Sequence, residues 1–475
     1  MYHPQHAQAA PAPDLAPTVA EWIETRPGLP YFVTEGGRAW HPIGDNNAIN
    51  WPELNGLFRR RDLAGVDAFL RSLRDSGVTV IRLMLEYAQS RHRYLERPAG
   101  VFVPAMVRLW DDLIAACTRA GLRLLLTPVD TFWTWAHWDH HPWNRAHGGP
   151  LGHPSALLTC PETRGFIKRR LEFATRRWGG SGVVFAWDLW NEIHPAQCDW
   201  DVSCWPDFIH DLSAHMRRVE REVHGRAHLQ TVSLFGPELW WRPELPMEEP
   251  IFRHPDLDFA SIHIYREGTI DDPRDTVAPA LDMARIVRES IDKIVDDRPF
   301  LDSEHGPIHR YKDKKRQLPA AFDDEYFRHM QWAHLAAGGA GGGMRWPNRS
   351  PHILTPGMRR AQASLARFMP LIDWTRFRRR PLDLVWPAGL KGAACGDGDQ
   401  AVIWAVRTRE LNAAGMVAPR GQRRLAVAVP GLDGPVEAVA FDTVEGRELA
   451  RTRFPDARID LDLPGGDMAL AVRRI

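Results

Sequence analysis

Two glutamates in this chain stand where a carboxylate can do chemistry. Glu192 closes the segment 184–192, an apolar β-type run ending Trp190-Asn191-Glu192. Glu304 lies in 300–306, which ends Asp302-Ser303-Glu304-His305-Gly306. A pair of carboxyl groups is what cleavage of a glycosidic bond needs. One, protonated, gives its proton to the leaving oxygen, and the other, ionised, attacks or stabilises the anomeric carbon. A single strand-end Glu is ordinarily an ion-paired surface residue. Two of them, each at the end of an apolar run and among Trp and His residues, are a more specific signal. Asn191 adds an amide that can donate to a sugar hydroxyl beside the reacting carbon.

Residues so far apart in sequence meet only if the fold gathers several strand ends. The runs 78–85, 122–129, 183–189, 229–235, 259–264, 298–302 and 341–346 read as strands. A further, first strand is expected at 31–34 or just beyond it. Segments 63–73, 106–120, 166–178, 208–223, 277–294 and 326–337 read as helices between them; Phe208, Leu212, Met216, Val219 and Val223 recur at helical spacing. This alternation implies a parallel sheet with crossover helices. About eight units over about 340 residues fit a closed (β/α)8 TIM barrel better than an open doubly wound sheet. The glycine run at 338–343 lies at the wrong end of the chain and lacks the spacing of a nucleotide fingerprint.

In such a barrel the site forms at the C-terminal ends of the strands. That rule collects Arg82 and Glu86, Asp130 with the aromatic stretch through Trp133, Trp135 and His137, then Asn191, Glu192, His263, Tyr265, Glu304 and Trp346. Beyond about residue 370 the pattern changes to short alternating runs at 401–406, 424–429, 436–441 and 468–472, punctuated by Gly and Asp. This reads as a small antiparallel β-sandwich domain. The expected division is a flexible tail at 1–17, a catalytic barrel at 18–370 and a β domain at 371–475.

Composition excludes several classes. Lys+Arg and Asp+Glu number 60 each, so the net charge is zero and a strongly basic nucleic-acid or anionic-membrane binder is disfavoured. The run Lys312-Asp313-Lys314-Lys315-Arg316 is then most simply a solvated loop. No stretch reaches the roughly 18–20 apolar residues of a membrane span, and the N-terminus has no signal-peptide pattern, so a cytoplasmic location is expected. Five cysteines without a C-x-x-C pair make a zinc site improbable. Reduced thiols are the simplest state, although Cys198 and Cys204 could close a small disulfide loop. His137 and His141 have the i, i+4 spacing of two metal ligands on a helix. Pro142 follows at once, however, and a Trp/His loop rimming a sugar cleft is the favoured reading. No metal and no organic cofactor is expected. The 20 Trp outnumber the 19 Phe and 7 Tyr; flat apolar faces suit sugar rings, although most must serve the core. The expected partner is a carbohydrate, with neither nucleic acid nor membrane.

The segments 184–192 and 300–306, with His263-Ile264-Tyr265 and Trp346, resemble retaining glycoside hydrolases of clan A, most closely the family-five type (cellulase and mannanase relatives). The resemblance spans roughly 30–370. It implies that Glu192 is the acid/base, Glu304 the nucleophile and Asn191 the ligand of the 2-hydroxyl. Arg82 would lie beneath the nucleophile and keep it ionised, Tyr265 would hydrogen-bond Glu304, His263 would line the pocket and Trp346 would floor it. Trp135 and His137 would rim the cleft. Two departures stand out: Asp130 occupies the approximate place of a His that ends the third strand of many relatives, and His305 follows the nucleophile where an aromatic residue is common. The expected activity is double-displacement cleavage of β-mannosides or β-glucosides. An arabinofuranosidase- or xylosidase-like enzyme and a non-catalytic sugar-binding pseudoenzyme are the alternatives. Glu86 could contact a distal sugar or cap a helix, and Asp188 reads as local structure.

Overall fold

The computed structural model describes residues 20–46, 62–85, 94–308, 317–349 and 352–475. The tail at 1–17, Glu86 and 312–316 lie outside the described residues. The chain opens with an antiparallel three-stranded sheet of Ile23–Arg26 (β1), Leu29–Thr34 (β2) and Ala39–Trp40 (β3). Parallel strands follow: Gly44–Asn46 (β4), Val80–Met84 (β5), Arg123–Thr127 (β6), Val184–Asp188 (β7) and Leu229–Thr231 (β8) form one sheet in sequence order. Ser233–Phe235 (β9), Ala260–Ile264 (β10) and Phe300–His305 (β11) form a second parallel sheet, also in sequence order. Helices Leu63–Asp75, Pro104–Ala120, Pro161–Trp178, Trp205–His224, Ala278–Ile291 and Ala320–Ala336 cover them. Each buries an apolar face; in the first, Val66, Leu70 and Leu73 face inward and the Asp62 side chain caps the Gly65 N–H.

Of the two places expected for the first parallel strand, the structure takes the second: 31–34 belongs to β2, and β4 lies just beyond it. All six residues of β2 are buried, and Phe32 sits edge-on to Phe185 at 5.0 Å and to Phe259 at 5.3 Å. The hairpin therefore plugs the N-terminal ends of β7 and β10. Two other runs need correction. The run 229–235 is divided at Val232, because the Asp188 carboxylate takes both the backbone N–H and the hydroxyl of Ser233, at 2.9 and 2.7 Å. The first half pairs with β7 and the second with β10. The run 341–346 pairs only over its last residues: Arg345 bridges His305, the Met344 and Trp346 N–H groups donate to the Asp302 and His305 carbonyls, and the His305 N–H donates to the Met344 carbonyl. Gly341 and Gly343 have φ of 70° and 73°, outside extended geometry. The segment still packs against the first parallel strand: a Cβ on Gly44 would lie 2.3 Å from Met344 Cγ.

After helix Pro356–Phe368 the chain forms a six-stranded antiparallel sheet and a two-stranded one. The larger comprises Arg380–Pro381 (β12), Leu390–Gly396 (β13), Gln400–Arg407 (β14), Val436–Asp442 (β16), Arg447–Phe454 (β17) and Asp467–Arg474 (β19); the smaller pairs Arg423–Ala428 (β15) with Arg458–Leu463 (β18). These sheets have a core of their own, including Ile403, Leu425 and Leu470. They are tied to helix Ala320–Ala336 through Asp467. Its buried carboxylate accepts from Arg328 at 3.0 Å, the Trp404 indole at 3.0 Å and the Thr443 hydroxyl at 2.7 Å. Burial alone would raise its pKa; Arg328, His329 and these hydrogen bonds hold it well below the usual carboxylate range. All five cysteines, Cys198 and Cys204 included, are free thiols. No helix among the described residues is long and apolar enough to cross a membrane.

Phe32→Ala should empty the space between Phe185 and Phe259 and cost about 3–5 kcal/mol. Phe32→Leu, which refills most of that volume, should cost much less. Denaturant midpoints of the two variants check this; equal, small losses would mean that the hairpin plug is not part of the cooperative core.

Candidate active site

The C-terminal ends of the parallel strands deliver their polar residues to one point. Arg82, on β5, has no exposed side-chain surface. Its Nη1 donates to Glu304 Oε2 at 2.8 Å and to Asn46 Oδ1 at 3.4 Å, and its Nη2 donates to Asn191 Oδ1. Asp188 Oδ2 lies 3.8 Å from the same guanidinium. Tyr265 Oη donates to Glu304 Oε1 at 2.6 Å, and Asn46 Nδ2 to Oε2 at 3.4 Å. Glu304 thus receives hydrogen bonds from Arg82, Tyr265 and Asn46, all of them donors.

Glu192 is held differently. Its backbone turns through φ 51°, a left-handed conformation rare for a residue with a side chain and costly by about 1–2 kcal/mol. Its N–H donates to Ser233 Oγ at 3.2 Å. That hydroxyl is itself bound by Asp188, so the turn is locked from beneath. The Glu192 side chain, 16% exposed, meets His263 Nδ1 at 2.7 Å. Burial pushes the Glu192 carboxyl up to about 7, against the pull of Arg82 and His194, with Asp188 and Glu238 adding to the rise. Burial also pushes His263 down to about 3. The ring is therefore neutral near pH 7 and supplies no cation to ionise Glu192.

One oxygen of Glu192, one of Glu304 and a ring nitrogen of His263 all lie within 4.8 Å of one another. Among the described residues this is the one group of His, Cys, Asp and Glu close enough to share a metal ion. The nearest oxygens of the two carboxyls are thus no more than 4.8 Å apart.

Two cavities meet at Glu192 and Phe132, which line both. The inner one, about 50 Å³, is walled by Glu304, Tyr265, Asn191, Asp130, Trp133 and Trp346, with Met84 packed against both indoles. The outer one, about 610 Å³, is walled by Phe132, Trp135, Phe235 and Trp241 with Thr131, His194 and Glu238; Glu304 does not reach it. Of the residues singled out in sequence, Arg82, Asn191, Glu192, His263, Tyr265 and Glu304 form one bonded cluster, and Trp346 faces it. Asp130 accepts from the Trp133 N–H and from Asn191 Nδ2, each at 2.5 Å, and so caps helix Thr131–Ala136 while orienting the Asn191 amide. Burial raises its carboxyl to about 7. Trp135 belongs to the outer cavity. His263 lies beneath the carboxylates and lines neither cavity. His137 stacks on Trp133 at 5.8 Å and also lines neither. His141 packs with Trp138 and Trp143 and accepts the Trp143 N–H. His305 turns inward to Asp302 Oδ2 at 2.7 Å. Sequence reasoning missed Asn46, Ser233, Phe235, Glu238 and Trp241. Asn46 was findable only by placing the first parallel strand at 44–46.

No protein-family model matches the chain. It is 27% identical over 233 residues to mannan endo-1,4-beta-mannosidase 2 of Arabidopsis thaliana, a match covering 44% of this chain and 52% of that one. The chain therefore spans about half the length of the curated relative it matches. Among solved structures, a glycoside hydrolase superposes with TM-score 0.60 at 14% identity, covering 95% of this chain and 97% of the other. A glycoside hydrolase family 5 structure from Bacteroides vulgatus gives 0.55 at 12% identity, covering 95% and 93%. An endo-1,4-beta-D-mannanase from Thermotoga petrophila gives 0.51 at 17%, covering 69% of this chain and 100% of that one. At these identities the likeness is one of fold.

The Glu192 carboxyl is expected to be protonated at pH 5 and ionised at pH 9. Carbon-13 NMR of glutamate-labelled protein should give it a midpoint near 7, assigned by its loss in Glu192→Gln. A midpoint near the ordinary 4.5 would contradict the buried environment described above.

Proposed function

We propose that this chain is a retaining β-glycosidase of the glycoside hydrolase family 5 type. It would act on β-mannosides or β-glucosides through a glycosyl–enzyme intermediate on Glu304. The observation that carries the reading is two carboxyls in direct reach of each other with opposite surroundings. Glu304 is surrounded by donors, as a nucleophilic carboxylate requires, and Glu192 has a carboxyl raised to about 7, as a general acid requires.

In the first step Glu304 attacks the anomeric carbon while Glu192 protonates the leaving oxygen. In the second, the Glu192 carboxylate takes a proton from water, the water oxygen bonds to the anomeric carbon, and the Glu304 ester is released. Arg82 and Tyr265 hold Glu304 throughout. Asn191, fixed between Arg82 and Asp130, presents its amide edge to the sugar 2-hydroxyl. Trp346 and Trp133 offer apolar faces to the ring. The β-mannoside preference is supported by the likeness to a mannan endo-1,4-beta-mannosidase and to an endo-1,4-beta-D-mannanase. We read the parallel strands as a closed (β/α)8 barrel with 341–346 in the eighth position and an antiparallel β-sandwich from 371; the packing of Met344 on Gly44 supports it.

Glu304→Ala should abolish nearly all turnover, and azide or formate should restore part of it by filling the gap. Proton NMR in the first minutes of hydrolysis should show a β-anomeric product; an inverted product would overturn the nucleophile role. The kcat/KM profile should fall as pH rises through about 7, because the acid is then lost. Glu192→Gln should cost about 10²–10⁴-fold on alkyl glycosides and far less on dinitrophenyl glycosides, whose leaving groups need little protonation. Loss of activity with EDTA, restored by a divalent ion, would instead favour metal use of the Glu192–His263–Glu304 cluster.

A further inference from the structure

The outer cavity carries information about the leaving group. We propose that it binds a flat apolar aglycone, so that the preferred substrates are β-glycosides of aromatic alcohols and not glycan chains. The inference rests on the hydrolase reading above. Glu192 delivers its proton to the leaving oxygen, so whatever fills the space on its side away from Glu304 is the leaving group. That space, at about 610 Å³, falls within the roughly 300–1,000 Å³ typical of small-molecule sites.

Its walls are aromatic and partly bare. Trp241 is 55% exposed and Phe132 43%. Phe235 and Trp241 meet at 5.8 Å and 60°, which makes a corner of two ring faces. Large aromatics so exposed at a concave surface mark a binding site more often than ordinary surface does.

The hydroxyl, the imidazole and the second carboxyl in the same walls are bonded within the protein, and the Trp135 indole N–H is a wall donor left without a partner. Thr131 Oγ1 accepts from the Trp190 indole at 2.8 Å. His194 Nδ1 accepts the Ala196 N–H at 3.1 Å, and its Nε2 lies 3.3 Å from Glu238 Oε1. The other Glu238 oxygen is taken by Arg242. A sugar in the leaving-group position would bring several hydroxyls, and each buried without a partner would weaken binding. Among the described residues lining the groove, Glu192 alone keeps a carboxyl oxygen outside such a network. An aromatic alcohol has one polar atom, the oxygen that Glu192 protonates, and an apolar remainder that matches the walls.

The test uses the full chain and a series of β-mannosides and β-glucosides: methyl, hexyl and 2-phenylethyl glycosides, with the corresponding β-1,4-disaccharides. The three alcohols have similar basicity, so differences in kcat/KM report binding of the aglycone. The 2-phenylethyl glycoside should exceed the methyl glycoside by about tenfold or more and should exceed the disaccharide. Trp241→Ala should remove most of that gain through KM, and Trp241→Phe should retain most of it. Unchanged thermal melting would show that the variants fold. A flat series, or a disaccharide hydrolysed faster than the 2-phenylethyl glycoside, would overturn this inference and leave the hydrolase reading standing. Failure to hydrolyse any glycoside would overturn both.

Discussion

A guanidinium with no exposed surface is tolerated only where oxygens surround it, because the loss of its hydration costs several kcal/mol. Arg82 is such an ion. Its acceptors come from Asn46 on β4, Asn191 just beyond β7 and Glu304 on β11, with Asp188 at the end of β7 close by. These lie on three separate stretches of chain, besides the strand that carries Arg82. The ion is satisfied only when those strands end at the same height. It therefore acts as a register constraint, since a slip of one residue on any of them would turn the acceptor to the opposite face.

The same ion gives the two glutamates different characters. Arg82 donates directly to Glu304, whereas the group touching Glu192 is His263, whose burial keeps it uncharged. A charged imidazole in that position would favour the ionised form of Glu192. The contrast between the two carboxyls thus depends in part on a buried, neutral histidine. The strained turn at Glu192, held by Ser233 and Asp188, presents its carboxyl between the two cavities.

Much of this arrangement was legible in the sequence because a strand that ends in polar residues advertises its functional end. Glu192, Glu304, Arg82, Asn191 and Tyr265 all follow or close apolar runs, and the structure brings them together. Asn46 was hidden because Gly44-Asp45-Asn46 has no apolar signature, while the neighbouring 31–34 has a strong one that serves the hairpin plug. The run 341–346 reads as a strand because Met344 and Trp346 are apolar, but its glycines confine the pairing with β11 to residues 344–346. Strand β17 was missed for the opposite reason: it is rich in Arg and Glu and lies at the sheet edge, where burial does not select its residues. Trp133, Trp135 and His137 were indistinguishable as a cluster. That Trp133 faces the inner cavity and Trp135 the outer one is decided by the phase of a six-residue helix, at about 100° per residue, while His137 follows its end.

Asp467 gives the segment beyond residue 370 a different standing from that of an appended module. Its carboxylate is the buried counter-charge of Arg328 on a helix that covers the parallel strands, and its other partners, Trp404 and Thr443, belong to the antiparallel sheets. Cutting the chain near residue 370 would leave Arg328 only the more distant Glu325, at 3.9 Å, and would bare the Trp332 and Phe368 rings that now meet Phe441. The two parts are consequently not exchangeable cassettes. Recombination with a foreign C-terminal partner would have to rebuild a salt bridge and an aromatic contact at once, and proteolysis between the parts should yield an insoluble fragment and not a working half.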